Sequence, residues 1–155
     1  MPLIGYLAVS LIIFGLDQLV KYLVVTHIKL DTTVSFIPHV LSLSNVRNDG
    51  AAWSILQGQQ LLLFVITVAA LAVMLVLLKK NQNDRLFAWA LTLMIGGTLG
   101  NFLDRLRLGY VVDMFTLDFM NFPIFNVADC ALTVGVILLI IALFTGDDNE
   151  GLCNY

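Results

Sequence analysis

Two aspartates, Asp113 and Asp129, are the strongest candidates for chemistry in this chain, because each directly follows apolar residues, in VVD and NVAD. A carboxylate at bilayer depth costs about 2.5–3.5 kcal/mol on insertion scales, so acids in such surroundings are rare and usually functional. One continuous helix would hold the two about 24 Å apart. Gly109 and Pro123 break any such helix, so the segment can fold back. Asn126 lies at i−3 from Asp129 and shares its helix face. The sequence therefore predicts a carboxylate pair.

Paired carboxylates can hydrolyse a peptide bond without a metal or a covalent nucleophile. One ionised aspartate takes a proton from water, and the other, protonated, polarises the scissile carbonyl. Two acids at close range cannot both ionise, so the pair shares one proton. The chain has neither an HExxH nor a GxSxG motif, and we predict no metal site and no cofactor. The residues alone leave a proton-coupled transporter and a non-catalytic membrane scaffold open as alternatives.

The composition indicates a membrane protein. Of the 155 residues, 59% are hydrophobic and 12% are charged, against about 45–50% and 25% in soluble domains. The mean hydropathy is +0.93, so lipid must cover much of the surface. The net charge of −3 comes without a basic stripe, which argues against a nucleic-acid partner. We expect a single integral-membrane domain spanning residues 1–155.

Four apolar segments are long enough to cross a bilayer. The predicted membrane helices cover about residues 3–25, 61–78, 86–106 and 126–144.

The short loop 79–85 predicts the orientation, because it holds three basic residues in seven positions and short basic loops face the cytoplasm. The tail, residues 146–155, then lies on the same side. Residues 26–59 and 107–125 face outward, and the carboxylates gather at the outer surface. Within 26–59, the alternation of Leu and Ser over residues 41–44 predicts a small unit of two to four strands.

Several polar residues could support the pair. Asp17 and Lys21 are spaced i, i+4 and share a helix face; they form either a pair that extends to the headgroups or a polar face toward the active centre. Asn48 begins a turn with Gly50, and its amide is either a turn amide or a contact to substrate or carboxylate.

The third predicted helix carries small and polar residues on its faces. Gly96 and Gly100 form a GxxxG pattern that lets helices pack closely. Asn101, Asp104 and Arg105 follow on one face. Asn101 can bond to a neighbouring carboxylate. We expect Asp104 and Arg105 to interact and to anchor the helix end in the headgroups.

Five segments resemble, in order, the signature blocks of bacterial lipoprotein signal peptidase, also called signal peptidase II. They are DQLVK (17–21), NDGAAW (48–53), GGTLGNFLDR (96–105), VVDMF (111–115) and FNVADC (125–130). The resemblance covers almost the whole chain up to the acidic tail. One departure is Cys130, where the family commonly has Ser; it raises the question of a reactive thiol.

The resemblance implies a membrane aspartyl endopeptidase that removes signal peptides from diacylglyceryl-modified prolipoproteins, cutting before the lipidated cysteine. Asp113 and Asp129 match the catalytic pair. The implied supporting and substrate-binding residues are Asp17, Lys21, Asn48, Gly50, Asn101, Asp104, Arg105 and Asn126. The implied fold is an all-α membrane protein, with four transmembrane helices, a small extracytoplasmic β-cradle and a surface-lying helical segment. The implied location is the bacterial cytoplasmic membrane, with the active site at the extracytoplasmic face and with prolipoproteins and membrane lipid as partners.

Overall fold

The computed structural model describes residues 1–50 and 58–150, and this part of the chain contains four long helices and a small three-stranded sheet. All four helices are long and apolar enough to span a membrane. They overlap the four apolar segments of the sequence, so the four-helix fold is confirmed. The helices are α1 (Leu3–His27), α2 (Gln60–Lys80), α3 (Arg85–Leu108) and α4 (Val127–Glu150).

Helix α3 is the centre of the bundle, with half of its most apolar window buried inside the protein against 17% for each of the others. It begins at the N-cap Asp84, whose carboxylate accepts the Phe87 N–H at 3.0 Å. It ends at Gly109, which adopts φ 78° and donates its N–H to the Arg105 carbonyl. The glycine predicted to break the helix is therefore its C-terminal cap.

Small residues bring α1 and α4 against α3, as the GxxxG pattern predicted. A Cβ on Gly96 would lie 2.8 Å from the Ser10 carbonyl oxygen of α1, and one on Gly97 would lie 2.5 Å from the Ala128 carbonyl oxygen of α4. A Cβ on Gly100 would collide with the Asp17 carboxylate. The glycines thus allow the polar residues of three helices to approach within hydrogen-bond distance.

The sheet differs from the expectation in its composition. Strands β1 (Thr33–Ile37) and β2 (Leu41–Asn48) form a hairpin within 26–59, where two to four strands were predicted, and β3 (Val111–Leu117) adds a third antiparallel strand from outside that segment. Buried apolar side chains of β3, including Met114 at 0% exposure, pack against Val24 of α1. This tertiary packing, which no local pattern reveals, makes VVDMF a strand.

A helix lying on the surface is not seen in the described part of the two outward segments. Residues 109–126 form strand β3, a turn and a loop. Residues 28–50 form the β1–β2 hairpin and its flanking turns. The remaining part of this expectation concerns residues 51–57, which lie outside the described residues.

The loop after β3 folds back along it. The Phe125 carbonyl accepts the N–H groups of Met114 and Phe115, and the Phe125 N–H donates to the Phe115 carbonyl at 3.2 Å. This return brings the start of α4 beside β3. The segment between the two aspartates therefore folds back, as the sequence predicted.

Candidate active site

Asp129 is held at the N-terminus of α4 by a reciprocal capping arrangement. The Asp129 N–H donates to Asn126 Oδ1 at 2.9 Å, and the Asn126 N–H donates to Asp129 Oδ2 at 3.1 Å. This is a capping box, with the acid at the third helical position. The helix N-terminus also favours a negative charge there. The i−3 spacing of the sequence therefore encodes the geometry directly.

Asp113 lies on β3 with both carboxylate oxygens engaged. Asn126 Nδ2 donates to Asp113 Oδ1 at 2.6 Å, and Asn48 Nδ2 donates to Asp113 Oδ2 at 2.9 Å. The side chain is only 3% exposed. Burial and, to a smaller extent, the charge of Asp129 raise the pKa of Asp113 to about 6, against the lowering effect of the hydrogen bonds from the two amides. Asp113 therefore holds a proton far more readily than a solvated aspartate.

Asn48 does both of the things that the sequence left open. Its Oδ1 accepts the Gly50 N–H at 3.0 Å, which is a turn contact, while its Nδ2 donates to Asp113. The pairing of Asn48 with Val111 in the β2–β3 ladder places the side chain of Asn48 beside that of Asp113. The turn therefore fixes the amide that contacts the carboxylate.

Asn101 of α3 connects the pair to the bundle interior. Its Nδ2 donates to Asp129 Oδ1 at 2.8 Å, as the sequence suggested for a neighbouring carboxylate. Its Oδ1 accepts from Lys21 Nζ at 3.0 Å and from Asn126 Nδ2 at 3.1 Å. Asn101 thus joins helices α1, α3 and α4 at one point.

Lys21 lies between two carboxylates in a buried cluster. Its Nζ is 2.9 Å from a carboxylate oxygen of Asp17 and 2.9 Å from one of Asp104, and all three residues are at most 4% exposed. Asp17 and Lys21 therefore form a polar face toward the site rather than an exposed pair. Asp17 also accepts the Ala128 N–H at 2.9 Å, which ties α1 to the first turn of α4.

The expectation for Asp104 needs a correction. Its ion-pair partner is Lys21 rather than the adjacent Arg105, and it is buried rather than placed among headgroups. It also accepts the Val112 N–H at 3.2 Å and the amide of Gln18 at 3.0 Å. Adjacent residues of a helix point in different directions, so the side chains of Asp104 and Arg105 do not face each other. Gln18 was absent from the predicted site residues, although its place beside Asp17 is a signal.

Arg105 points toward the site from the other side of α3. Its guanidinium donates to the Gly50 carbonyl at 3.0 Å and to the Asn101 carbonyl at 3.4 Å. It also interacts electrostatically with Asp129 and Asp113. Gly50, predicted as a substrate-binding residue, is therefore part of the contact that holds Arg105 near the pair.

A cavity of about 610 Å³ opens beside the two aspartates. Sequence reasoning missed most of its apolar wall, since single apolar residues in a membrane protein carry no signal of their own. Cys130 is exposed and lies on this wall. The missed lining residues are Val111, Leu117, Phe122, Pro123, Ile124, Phe125, Leu132, Thr133 and Val134.

The arrangement suits hydrolysis by two carboxylates. Among residues 1–50 and 58–150, no group of three or more His, Cys, Asp or Glu side chains has the geometry to hold a metal ion. The pair faces an apolar cavity, where a peptide bond could lie between an ionised and a protonated carboxyl group.

Known proteins resemble this chain along most of its length. Residues 9–145 match the family model of signal peptidase (SPase) II. The lipoprotein signal peptidase of Lactiplantibacillus plantarum is 50% identical over 145 residues, which cover 94% of this chain and 97% of that protein. The lipoprotein signal peptidase of Enterococcus faecalis is 51% identical over 142 residues, with 91% and 88% covered.

The fold has the same relatives. A solved bacterial membrane enzyme superposes with a TM-score of 0.89 at 38% identity, covering 94% of this chain and 91% of that one. A second solved structure with the same description gives a TM-score of 0.82 at 39% identity, covering 90% and 92%. Sequence and fold together place the chain in the signal peptidase II family of membrane aspartic endopeptidases.

Proposed function

We propose that Asp113 and Asp129 are the catalytic pair with which this enzyme removes signal peptides from diacylglyceryl-modified prolipoproteins, cutting before the lipidated cysteine. The observation that carries the proposal is the shared contact of Asn126. Its side-chain amide donates to Asp113, and its backbone N–H donates to Asp129. Both carboxylates thus contact the same residue and line the same cavity, so both can face one peptide bond of a substrate.

The mechanism needs one ionised and one protonated carboxyl. The ionised carboxylate removes a proton from water as the water oxygen attacks the scissile carbonyl carbon. The protonated carboxyl donates its proton to the carbonyl oxygen, so charge does not accumulate there. The raised pKa of Asp113, at about 6, supports a pair that retains one proton at mildly acidic pH.

The cavity suits a lipidated substrate. Its wall is apolar around the pair, and the neighbouring α4 surface is exposed at Val134. A diacylglyceryl group resists leaving the bilayer, because each buried CH₂ contributes about 0.8 kcal/mol. A protease for such a substrate must therefore bring its acids to the membrane interface, and Asp129 lies at the very start of a membrane helix.

The active site faces outward in the proposed orientation. Loop 79–85 connects α2 and α3 at the opposite end from the sheet, and it carries the dense basic charge that short cytoplasmic loops have. The outer face of the bacterial cytoplasmic membrane is where a lipidated precursor would present its cleavage site.

The test is cleavage of a diacylated prolipoprotein peptide by purified variants. Asp113→Asn and Asp129→Asn should each lose activity by several orders of magnitude while remaining folded, because the loss of either member of a catalytic pair disables the unit. Asp31→Asn is the matched control, since Asp31 is an exposed carboxylate outside the site. Near-normal turnover by Asp113→Asn or by Asp129→Asn would contradict the proposed aspartyl mechanism.

A further inference from the structure

The two aspartates differ in their surroundings, which bears on which of them carries the proton. Asp129 is half-buried, lies at a helix N-terminus, and accepts one backbone N–H and one amide N–H. Asp113 is 3% exposed, lies on a strand, and accepts only side-chain amides. Desolvation therefore weighs more on Asp113, and the helix terminus favours a charge on Asp129.

The amide orientations in this network follow from donors that cannot reverse. The Asp129 backbone N–H can only donate, so it fixes Asn126 with its oxygen toward Asp129 and its NH₂ toward Asp113 and Asn101. The Lys21 ammonium can only donate as well, and it is 3.0 Å from Asn101 Oδ1. Asn101 must therefore turn its NH₂ to Asp129.

A reversed Asn101 would be doubly unfavourable. Its NH₂ would face the Lys21 ammonium and the Asn126 NH₂, and its oxygen would face the Asp129 carboxylate. The ammonium also polarises the Asn101 amide, which strengthens the hydrogen bond that the same amide donates at 2.8 Å. Lys21 therefore acts on Asp129 without touching it.

We infer that Lys21 is a positioning residue which, by fixing the orientation of Asn101, keeps Asp129 the ionised member of the pair and leaves the shared proton on Asp113. Asp129 is then the base that takes the proton from water, and Asp113 is the acid that gives its proton to the carbonyl oxygen. This inference rests on the proposed catalytic pair and adds the role of each member.

The charges around the pair come from four described elements, and their effects can be separated. Arg105 interacts electrostatically with Asp129 and, less strongly, with Asp113, and its hydrogen bond to Asn101 is with the backbone carbonyl. The charge of Lys21 also lowers the pKa of Asp113, but it is the smallest of the causes that act on that group. The charged and titratable side chains around Asp129 are Asp17 and Lys21 of α1, Asp104 and Arg105 of α3, Asp113 of β3, and Cys130 of α4.

The first test is the pH profile of kcat/KM, whose acidic limb reports protonation of the base in the free enzyme. Lys21→Met should move that acidic limb to higher pH by about one pH unit, which corresponds to a tenfold rise in the proton affinity of the base. In an Asn101→Leu background, which keeps the shape and removes the dipole, Lys21→Met should move the limb little further. An equal displacement in both backgrounds would overturn the inference, because Lys21 would then act without Asn101.

Folding of the variant needs its own safeguard. Lys21→Met leaves Asp17 and Asp104 without their buried counter-ion, so the variant can fail to fold. The double variant Lys21→Met/Asp104→Asn keeps the cluster at one net negative charge, as in the native protein with two carboxylates and one ammonium. It should show the same displacement of the acidic limb, and an unmoved limb in a folded double variant would contradict the inference.

The second test locates the proton by infrared spectroscopy at a pH of about 5. The carbonyl band of a protonated carboxyl should persist in Asp129→Asn and disappear in Asp113→Asn, and the opposite pattern would overturn the assignment. Activity separates this from the parent proposal. If Asp113→Asn and Asp129→Asn are both inactive but the pH profile and the infrared spectra do not show the expected changes, the catalytic pair is supported. The roles proposed for Lys21 and for Asp113 as the acid are then wrong.

Discussion

Replacing Asp113 by Asn should change how the stability of the protein depends on pH. Burial raises the pKa of this carboxyl from 3.8 to about 6. Between these values the folded protein holds a proton that the unfolded chain has lost, so stability from this group falls as pH rises through the range. The stabilisation is present in full below pH 3.8 and is gone above about 6.

The size of the effect follows from the same two values. A change in pKa from 3.8 to about 6 corresponds to about 3 kcal/mol at 1.36 kcal/mol per unit. The asparagine side chain does not titrate, so its variant does not lose this stability as the pH rises. Between pH about 4 and pH about 7 the free energy of unfolding of the variant should therefore rise by about this amount relative to that of the native protein. For a chain of 155 residues, that is a relative rise in Tm of roughly 6–12 °C.

The substitution also lowers the stability of the folded protein by an amount that does not depend on pH. Both oxygens of Asp113 accept from amide donors, and an asparagine can satisfy only one of them. The loss is about 1 kcal/mol. We therefore expect Asp113→Asn to be slightly less stable than the native protein at pH about 4, more stable at pH about 7, and inactive.

The assay is thermal unfolding of both proteins in the same detergent at several pH values. The difference in Tm is the informative quantity, because contributions from all other groups largely cancel in it. Asp31→Asn is the control, since Asp31 is exposed and has φ 57°, a conformation that asparagine tolerates. Its difference in Tm should stay small. A constant Tm difference for Asp113→Asn across the range would refute the reasoning from burial.

Three further outcomes are expected. Asp104→Asn should lower the free energy of unfolding by about 3 kcal/mol, because it removes one partner of a buried ion pair; a fully stable but inactive variant would make Asp104 part of the catalytic group. In a Cys-free background, a membrane-impermeant thiol reagent should label Ser35→Cys from outside the cell and Asn83→Cys only after lysis; labelling of both from one side contradicts the four-span topology. Cys130→Ser should retain most activity in the prolipoprotein cleavage assay, because the proposed chemistry needs no thiol nucleophile; a variant as inactive as Asp129→Asn would favour cysteine chemistry instead.

What the sequence predicted well depends on neighbours along the chain. The helices follow from apolar runs of sufficient length. The Asp17–Lys21 pair follows from its i, i+4 spacing, and the proximity of Asn126 to Asp129 follows from their i, i+3 spacing, although the structure adds that the contact is a helix cap. In each case one short window contains both partners, so the geometry of a single helix is enough.

What the sequence predicted poorly depends on residues far apart in the chain. Lys21 is the partner of Asp104, 83 positions later, whereas adjacency in the chain favoured Arg105. Strand β3 pairs with β2 across more than 60 residues, so its segment carried no turn partner that would indicate a hairpin. The apolar cavity wall comes from β3, the following loop and α4 together, and no spacing connects these residues.

The same distinction separates the two halves of the proposed catalytic pair. Asp129 is positioned within the first turn of α4, so its capping geometry forms wherever that helix forms. Asp113 reaches it only because β3 pairs with β2 and the chain then returns from Phe115 to Phe125. The integrity of the pair therefore rests on the sheet rather than on the bundle. A change that loosens the β3 return should reduce catalysis before it affects the packing of α1, α3 and α4, since these three helices hold together through their own glycine, ion-pair and hydrogen-bond contacts.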